Sequence, residues 1–198
     1  MSNRHLILLF GALLWLGAVV WFAAHDVFIS GANERPVKLA AAFITPILLF
    51  LISVRLFPKW RSVIVSISPV FLIALNGWRF IGLGFLMGYA EGLLPGGFAW
   101  PAGLGDITMA ATTPWIAASV ASSDRFRSGR VFLAWNLFGI ADFLNAVFLG
   151  TLYLWPGFTT SVTTALMQRL PFVLIPGFFV PLVAMSHIAL LEQRRNAR

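Results

Sequence analysis

The chain has 198 residues, 59% hydrophobic and only 11% charged, with a mean hydropathy of +0.87. Soluble domains carry about 25% charged residues, so this composition nearly excludes a soluble fold. Without cysteine there are no disulfides, thiolate metal sites, iron–sulfur clusters or c-type haem attachment, and the net charge of +7 forms no basic stripe suited to nucleic acid and fits basic cytoplasmic loops instead.

A spanning helix needs about 20 mostly apolar residues. Leu6–Ala24 is the first such run. It exceeds the about 7–15 residues of a signal-peptide h-region. Trp21 and Phe22 also fill the −3 positions of its candidate cleavage points, so it reads as a retained helix. Val37–Phe57 is the second span, closed by Pro58, and Val63–Tyr89 is the third, carrying Arg79. Gly84 and Gly88 form a GxxxG step near Gly77 and Gly82, which implies close packing within the fold or between protomers.

The next segment, Leu94–Asp106, reads LPGGFAWPAGLGD: dense helix punctuation with a single charge. The apolar run beyond it, Ile107–Ala121, makes only about 22 Å of helix, too short for a core of about 30 Å. Counted from Ala99 the run is long enough. The fourth span is therefore expected to be discontinuous, entering near Ala99 and broken around Pro101–Gly105. Irregular backbone is tolerated at membrane depth where protein or a water-filled cavity satisfies it. Asp106 would then begin the continuous part, as an N-cap, a ligand group, or both.

Val131–Trp155 is the fifth span and carries Asp142; Pro171–Leu191 is the sixth. Pro171, Pro176 and Pro181 are expected to bend the sixth span and free carbonyls around residues 167–177. The Thr- and Ser-rich loop before it, Thr159–Gln168, reads as the start of a short interfacial helix. The expectation is an all-α polytopic bundle of six spans, about 6–24, 37–57, 63–89, 99–121, 131–155 and 171–191, in one domain over 1–198. Its fourth span would be broken or re-entrant at the outer end.

Loop charge sets the direction. With the N-terminus inside, the cytoplasmic segments hold ten basic residues, from Arg4 through Arg55, Lys59, Arg61, Arg125, Arg127 and Arg130 to Arg194, Arg195 and Arg198. The outer segments hold three, Arg35, Lys38 and Arg169, and Arg79 completes the 14. The bias places both termini in the cytoplasm.

Two charges lie inside apolar spans. A charge at the bilayer centre costs at least about 3 kcal/mol, so such residues pair, face the bundle interior and mark working sites. Asn76 is the midpoint of the third span, which puts Arg79 about 4–5 Å toward the outside. Asp142 is near the middle of the fifth, and Asn145 follows three residues later on the same face. The expected buried group is Asn76, Arg79, Asp106, Asp142 and Asn145. Arg79 would be held by one or both carboxylates through charge-assisted hydrogen bonds. Two carboxylates and one guanidinium leave one negative charge, which burial disfavours, so a proton on one acid would balance the site. A static network that locks the helices uses the same residues.

Asn136 and His187 fall at another level, in the inner third, with His187 expected to bond Asn136 or a backbone carbonyl. His25 and His187 are near opposite faces, which argues against a bis-histidine b-type haem. No nucleophile–base pair, phosphate loop or metal-ligand set appears, so the sequence leans away from an enzyme.

Arg79–Gly82, Leu93-Leu94-Pro95, Phe98-Ala99 and Pro101-Ala102-Gly103-Leu104-Gly105-Asp106 form a linked pattern. It continues through Trp135-Asn136, Gly139, Asp142, Ala146 and Gly150 to Leu170-Pro171, Leu174-Ile175-Pro176, Phe179-Val180-Pro181 and His187. Over residues 78–191 it resembles a group of small, uncharacterised bacterial polytopic inner-membrane proteins with no established activity. The resemblance implies the architecture, singles out the same polar residues and implies no substrate.

The function expected is binding or transfer of a small solute or proton at the Arg79 cluster of a bacterial inner-membrane protein. Its partners would be the lipid bilayer, a small molecule or proton, and a second protomer or a larger membrane complex, with no nucleic acid. No cofactor is predicted. A quinone-binding or haem-bearing redox subunit, and a structural or assembly subunit with a static polar core, are the rival readings.

Overall fold

The structure, a computed structural model, describes residues 3–31, 34–158 and 161–196, with side chains from 6 to 195 of these. The described residues are helical and contain no strand. α1 (Asn3–Ala24) and α2 (Val37–Leu56) follow the first two apolar runs. Pro58 starts a short α3 (Pro58–Val65), and Ser68 caps α4 (Pro69–Ala74), its hydroxyl accepting the Phe71 N–H at 3.4 Å. The third span thus begins at Pro69 rather than Val63, because Ser66–Ser68 turns the chain.

A correction concerns where the chain departs from the α-helix. Gly96–Ser122 forms one continuous helix, α6, of 27 residues that runs through Pro101 and Pro114. Neither a break nor a re-entrant turn interrupts it at Pro101–Gly105. Pro101 lies little more than a turn from the helix start and removes one bond, to the Gly97 carbonyl. The glycines serve packing instead. A Cβ on Gly103 would sit 2.9 Å from the Gly82 carbonyl oxygen, and one on Gly82 would sit 2.5 Å from that of Gly103.

The irregular stretch lies in the third span. Leu75–Ile81 is a 3₁₀ segment between α4 and α5 (Gly82–Ala90), and it carries Arg79. Asn76 and Gly77 are poor helix formers. The Asn76 amide also donates to the Ile73 carbonyl at 3.3 Å, competing with the α-helical ladder. Gly88 packs on Leu94 of the same chain and Gly82 on Gly103, so these two glycines are used within the fold, whereas Gly84 meets only Ile81, one turn before it.

After α7 (Asp124–Ser128), α8 (Arg130–Leu152) carries Asp142. Of the loop expected to start a helix at Thr159, Thr159 and Thr160 lie outside the described residues, and Ala165–Gln168 makes one 3₁₀ turn. The sixth span starts later than Pro171: residues 171–173 are a turn, Ile175–Phe179 is a π stretch, and α9 covers Val180–Asn196. The carbonyls of Arg169, Pro171, Phe172 and Val173 all accept backbone N–H groups, so these carbonyls are not left unpartnered.

Five segments are long and apolar enough to cross a membrane: Leu6–Ala24, Val37–Leu56, Pro69–Ala90, Arg130–Leu152 and Ile175–Arg195. α6 is long enough but is not among them. The surface is inverted relative to a soluble protein. Phe10, Leu49, Leu144 and Phe148 are each more than 60% exposed, while Asn76, Arg79, Asn136 and His187 are fully buried. At the basic end, buried Glu192 accepts from Arg61 and Arg195 at 3.1 Å each, and Gln193 donates to the Ile67 carbonyl at 2.8 Å, fastening α9 to the turns beside α3. Of the residues in the loop-charge count, Arg4 and Arg198 lie outside the described side chains.

The Gly82–Gly103 contact generates a test. Gly82→Val forces backbone apart where backbone cannot yield, and is expected to cost at least about 1–3 kcal/mol. Gly77→Ala, with no atom within 4 Å of its added carbon, is expected to stay within about 0.5 kcal/mol. Thermal unfolding in detergent, followed by circular dichroism, measures both.

Candidate functional site

The 3₁₀ turn aims Arg79 into the space between α6 and α8. Its Nε donates to Asp106 Oδ1 at 2.7 Å, and its Nη2 donates to Asp142 Oδ2. The guanidinium carbon lies 3.9 Å from the centroid of the Phe143 ring, a cation–π contact. Nη1 is buried and has no hydrogen-bond partner among the described residues. Asp106 and Asp142 are 5% and 8% exposed, so both acids are nearly as enclosed as the base they share.

Three of the buried polar side chains face a glycine on a neighbouring helix. A Cβ on Gly105 of α6 would collide with the Asp142 carboxylate on α8. One on Gly82 of α5 would lie 2.8 Å from Asp106 Cβ, and one on Gly139 of α8 would lie 2.5 Å from His187 Nε2. Three missing side chains make the room that three functional groups occupy. These glycines are therefore part of the site's shape, and Gly105, which the sequence offers as helix punctuation, serves close packing instead.

A second polar layer adjoins the first. His187 Nδ1 lies 3.0 Å from Asn136 Oδ1, and its Nε2 lies 3.1 Å from Asn76 Oδ1. The Asn136 amide donates to the Phe132 carbonyl at 2.8 Å. A neutral imidazole has one N–H, so it donates to one amide oxygen at a time. The expected His187–Asn136 partnership is present. Asn76 is placed differently from expectation: it bonds His187, not the Arg79 group, and because it shares the 3₁₀ turn with Arg79 it joins the two layers.

Asn145 is also placed differently. It is exposed on the outward side of α8, where with Asp142 and Thr108 it lines a groove between α6 and α8. The structure thus brings Arg79, Asp106 and Asp142 into contact, sets Asn76, Asn136 and His187 beside them, and leaves Asn145 outside. His25 is remote from both layers, its Nδ1 2.8 Å from the Trp21 carbonyl oxygen. Phe143 and Gly105 belong to the site; the sequence marks Gly105 only as helix punctuation and part of the linked pattern, and does not single out Phe143. The signal for Phe143 was its place next to Asp142 in the chain.

Residues 36–193 match the family model described as Domain of unknown function (DUF8737), and the chain belongs to that family. The match takes in α2, which the motif resemblance left out, while α1 precedes it. Comparison with curated proteins and with solved structures finds no match.

Removing one partner from a buried charge group strands the others, at a cost of about 3–5 kcal/mol. Arg79→Met, which leaves two carboxylates without their base, is expected to lower the unfolding free energy in detergent by that order, and Asp142→Ala, which leaves the Arg79–Asp106 pair, by less. Because Asp106 also leans on Arg79, the triple variant Arg79→Met, Asp106→Asn, Asp142→Asn is expected to recover most of the loss. Single variants as stable as the parent would contradict the geometry.

Proposed function

We propose that this chain is a bacterial inner-membrane protein of six spans, which binds or passes a small solute or proton through the cluster around Arg79. Its sixth crossing would be α6, whose 27 residues reach about 40 Å. The basic residues at the ends of α2, α3, α7 and α9 outnumber those beside the opposite helix ends, which supports cytoplasmic termini.

The carrying observation is the stoichiometry of the buried charges. One guanidinium serves two carboxylates, so the ionised cluster keeps one uncompensated negative charge. A single further positive charge neutralises it, and a proton is the smallest. Asp142 is the acid that also lines the outward groove, so it is the one assigned to gain and lose that proton. Asp106, bonded to Nε, holds Arg79 in place. A static ion-pair network would need no acid at a groove. A quinone or haem reading gains little from His187, because both of its ring nitrogens already face asparagine oxygens.

Proton entry into proteoliposomes loaded with a pH-sensitive dye, under an imposed potassium diffusion potential, tests this reading. The expected result is a flux above that of empty vesicles, lowered about 100-fold in Asp142→Asn, within the about 10²–10⁴-fold worth of a positioned acid–base group. Wild-type flux equal to empty vesicles, or an unchanged flux in Asp142→Asn, would refute it.

A further inference from the structure

The groove between α6 and α8 has a volume of about 410 Å³, within the range of small-molecule sites. Gly105 and Asp142, whose carboxylate lies against the Gly105 backbone, line it together with Leu104 and Phe138, both about half exposed. Thr108 and Asn145 supply polar edges. The Thr108 hydroxyl donates to the Leu104 carbonyl at 2.7 Å, which leaves its oxygen able to accept. The Asn145 side chain is exposed and forms no hydrogen bond with the described residues. An amide facing hydrocarbon without a partner is unfavourable, so this position suits an occupant with polar groups of its own.

The charge of that occupant follows from the lining. One acid and no basic side chain border the groove. A phosphate or carboxylate would meet Asp142 with no basic side chain in the lining, and Arg79 behind it is already shared by two carboxylates. An ammonium group would meet an acid, an amide oxygen and a hydroxyl oxygen together, with aromatic and aliphatic surface alongside.

We infer that the groove between α6 and α8 is a binding site for a lipid-soluble organic amine in its protonated form. Its N–H groups would reach Asp142, Asn145 and Thr108, and its apolar body would lie between Leu104 and Phe138. This rests on the reading that the Arg79 cluster accepts one further positive charge, and it names a second bearer of that charge. The site balances with a proton or with an ammonium group, not with both. When the amine enters, the O–H bond of the protonated acid breaks, the proton leaves to water, and the carboxylate remains paired with the ammonium. Gly105 sets the access, because any side chain there would collide with the carboxylate and displace it.

The test uses the full chain in lipid nanodiscs with quinacrine, a fluorescent lipophilic amine, and with the anionic dye 8-anilinonaphthalene-1-sulfonate as its counterpart. The expected result is saturable quinacrine binding beyond that of empty nanodiscs, with release of about one proton per amine in weak buffer. Asn145→Leu and Thr108→Val, both at outward-facing positions, are expected to weaken binding about tenfold, and Gly105→Leu more. Quinacrine signals equal to empty nanodiscs, or insensitive to Asn145→Leu and Thr108→Val, would overturn the inference, as would equal binding of the anionic dye. Asn145→Cys in this cysteine-free chain checks the remaining occupant. Disulfide-linked dimers that displace quinacrine would assign the groove to a second copy and overturn the amine site. Quinacrine binding without proton flux would leave the amine site standing and remove proton passage, whereas flux without quinacrine binding would remove the amine site alone.

Discussion

A single guanidinium joins three separate parts of this chain. Arg79 comes from the 3₁₀ turn in the third span, Asp106 from α6 and Asp142 from α8. Taking each ion out of water costs several kcal/mol, which is recovered only when geometry and hydrogen bonding are good. That requirement fixes how the helices approach one another. α5 and α6 must come within backbone contact for Asp106 to meet Nε, and Gly82 and Gly103 permit that distance. α6 and α8 must close around the Asp142 carboxylate, and Gly105 leaves it room.

The same logic extends one layer further. Asn76 bends the third span out of regular α-helix by bonding the Ile73 carbonyl, and it also meets His187. His187 fits against Gly139 and reaches Asn136 on α8. One irregular turn thus presents an arginine to the acids and an amide to the histidine. Short 3₁₀ stretches inside helices often mark functional hinges. Here the stretch carries the central charge of the molecule, and Trp78 within it stacks on Phe179 of the π stretch at 4.8 Å. Two departures from regular helix are therefore packed on each other beside the polar interior.

Much of this was legible in the residues. Charges inside apolar runs have few ways to be satisfied, so the grouping of Arg79 with Asp106 and Asp142 could be reasoned from burial cost alone. The apolar runs likewise located the long helices, because length and hydropathy are local properties. Less legible were features that depend on which face of a helix meets its neighbour. Asn145 lies three residues after Asp142, which rotates it about 60° around the helix. Asp142 sits at the edge of the buried face, so that rotation carries Asn145 outward. Leu94–Asp106 was misread for a related reason. Glycine and proline break an isolated helix, but glycines lined against the carbonyl of Gly82 and the carboxylate of Asp142 let α6 pack and continue. Composition does not distinguish the two cases; the neighbouring helix does.

The claim on which everything else depends is that Arg79 is shared by two carboxylates inside the fold. Solid-state NMR of the protein in bilayers, with ¹⁵N in the arginine guanidinium groups and ¹³C in the aspartate carboxyls, reads that contact directly. The account predicts strong nitrogen–carbon dipolar dephasing for one arginine signal, absent in Arg79→Lys and reduced separately by Asp106→Asn and Asp142→Asn. An Arg79 signal that exchanges with water and shows no carboxyl coupling would contradict it.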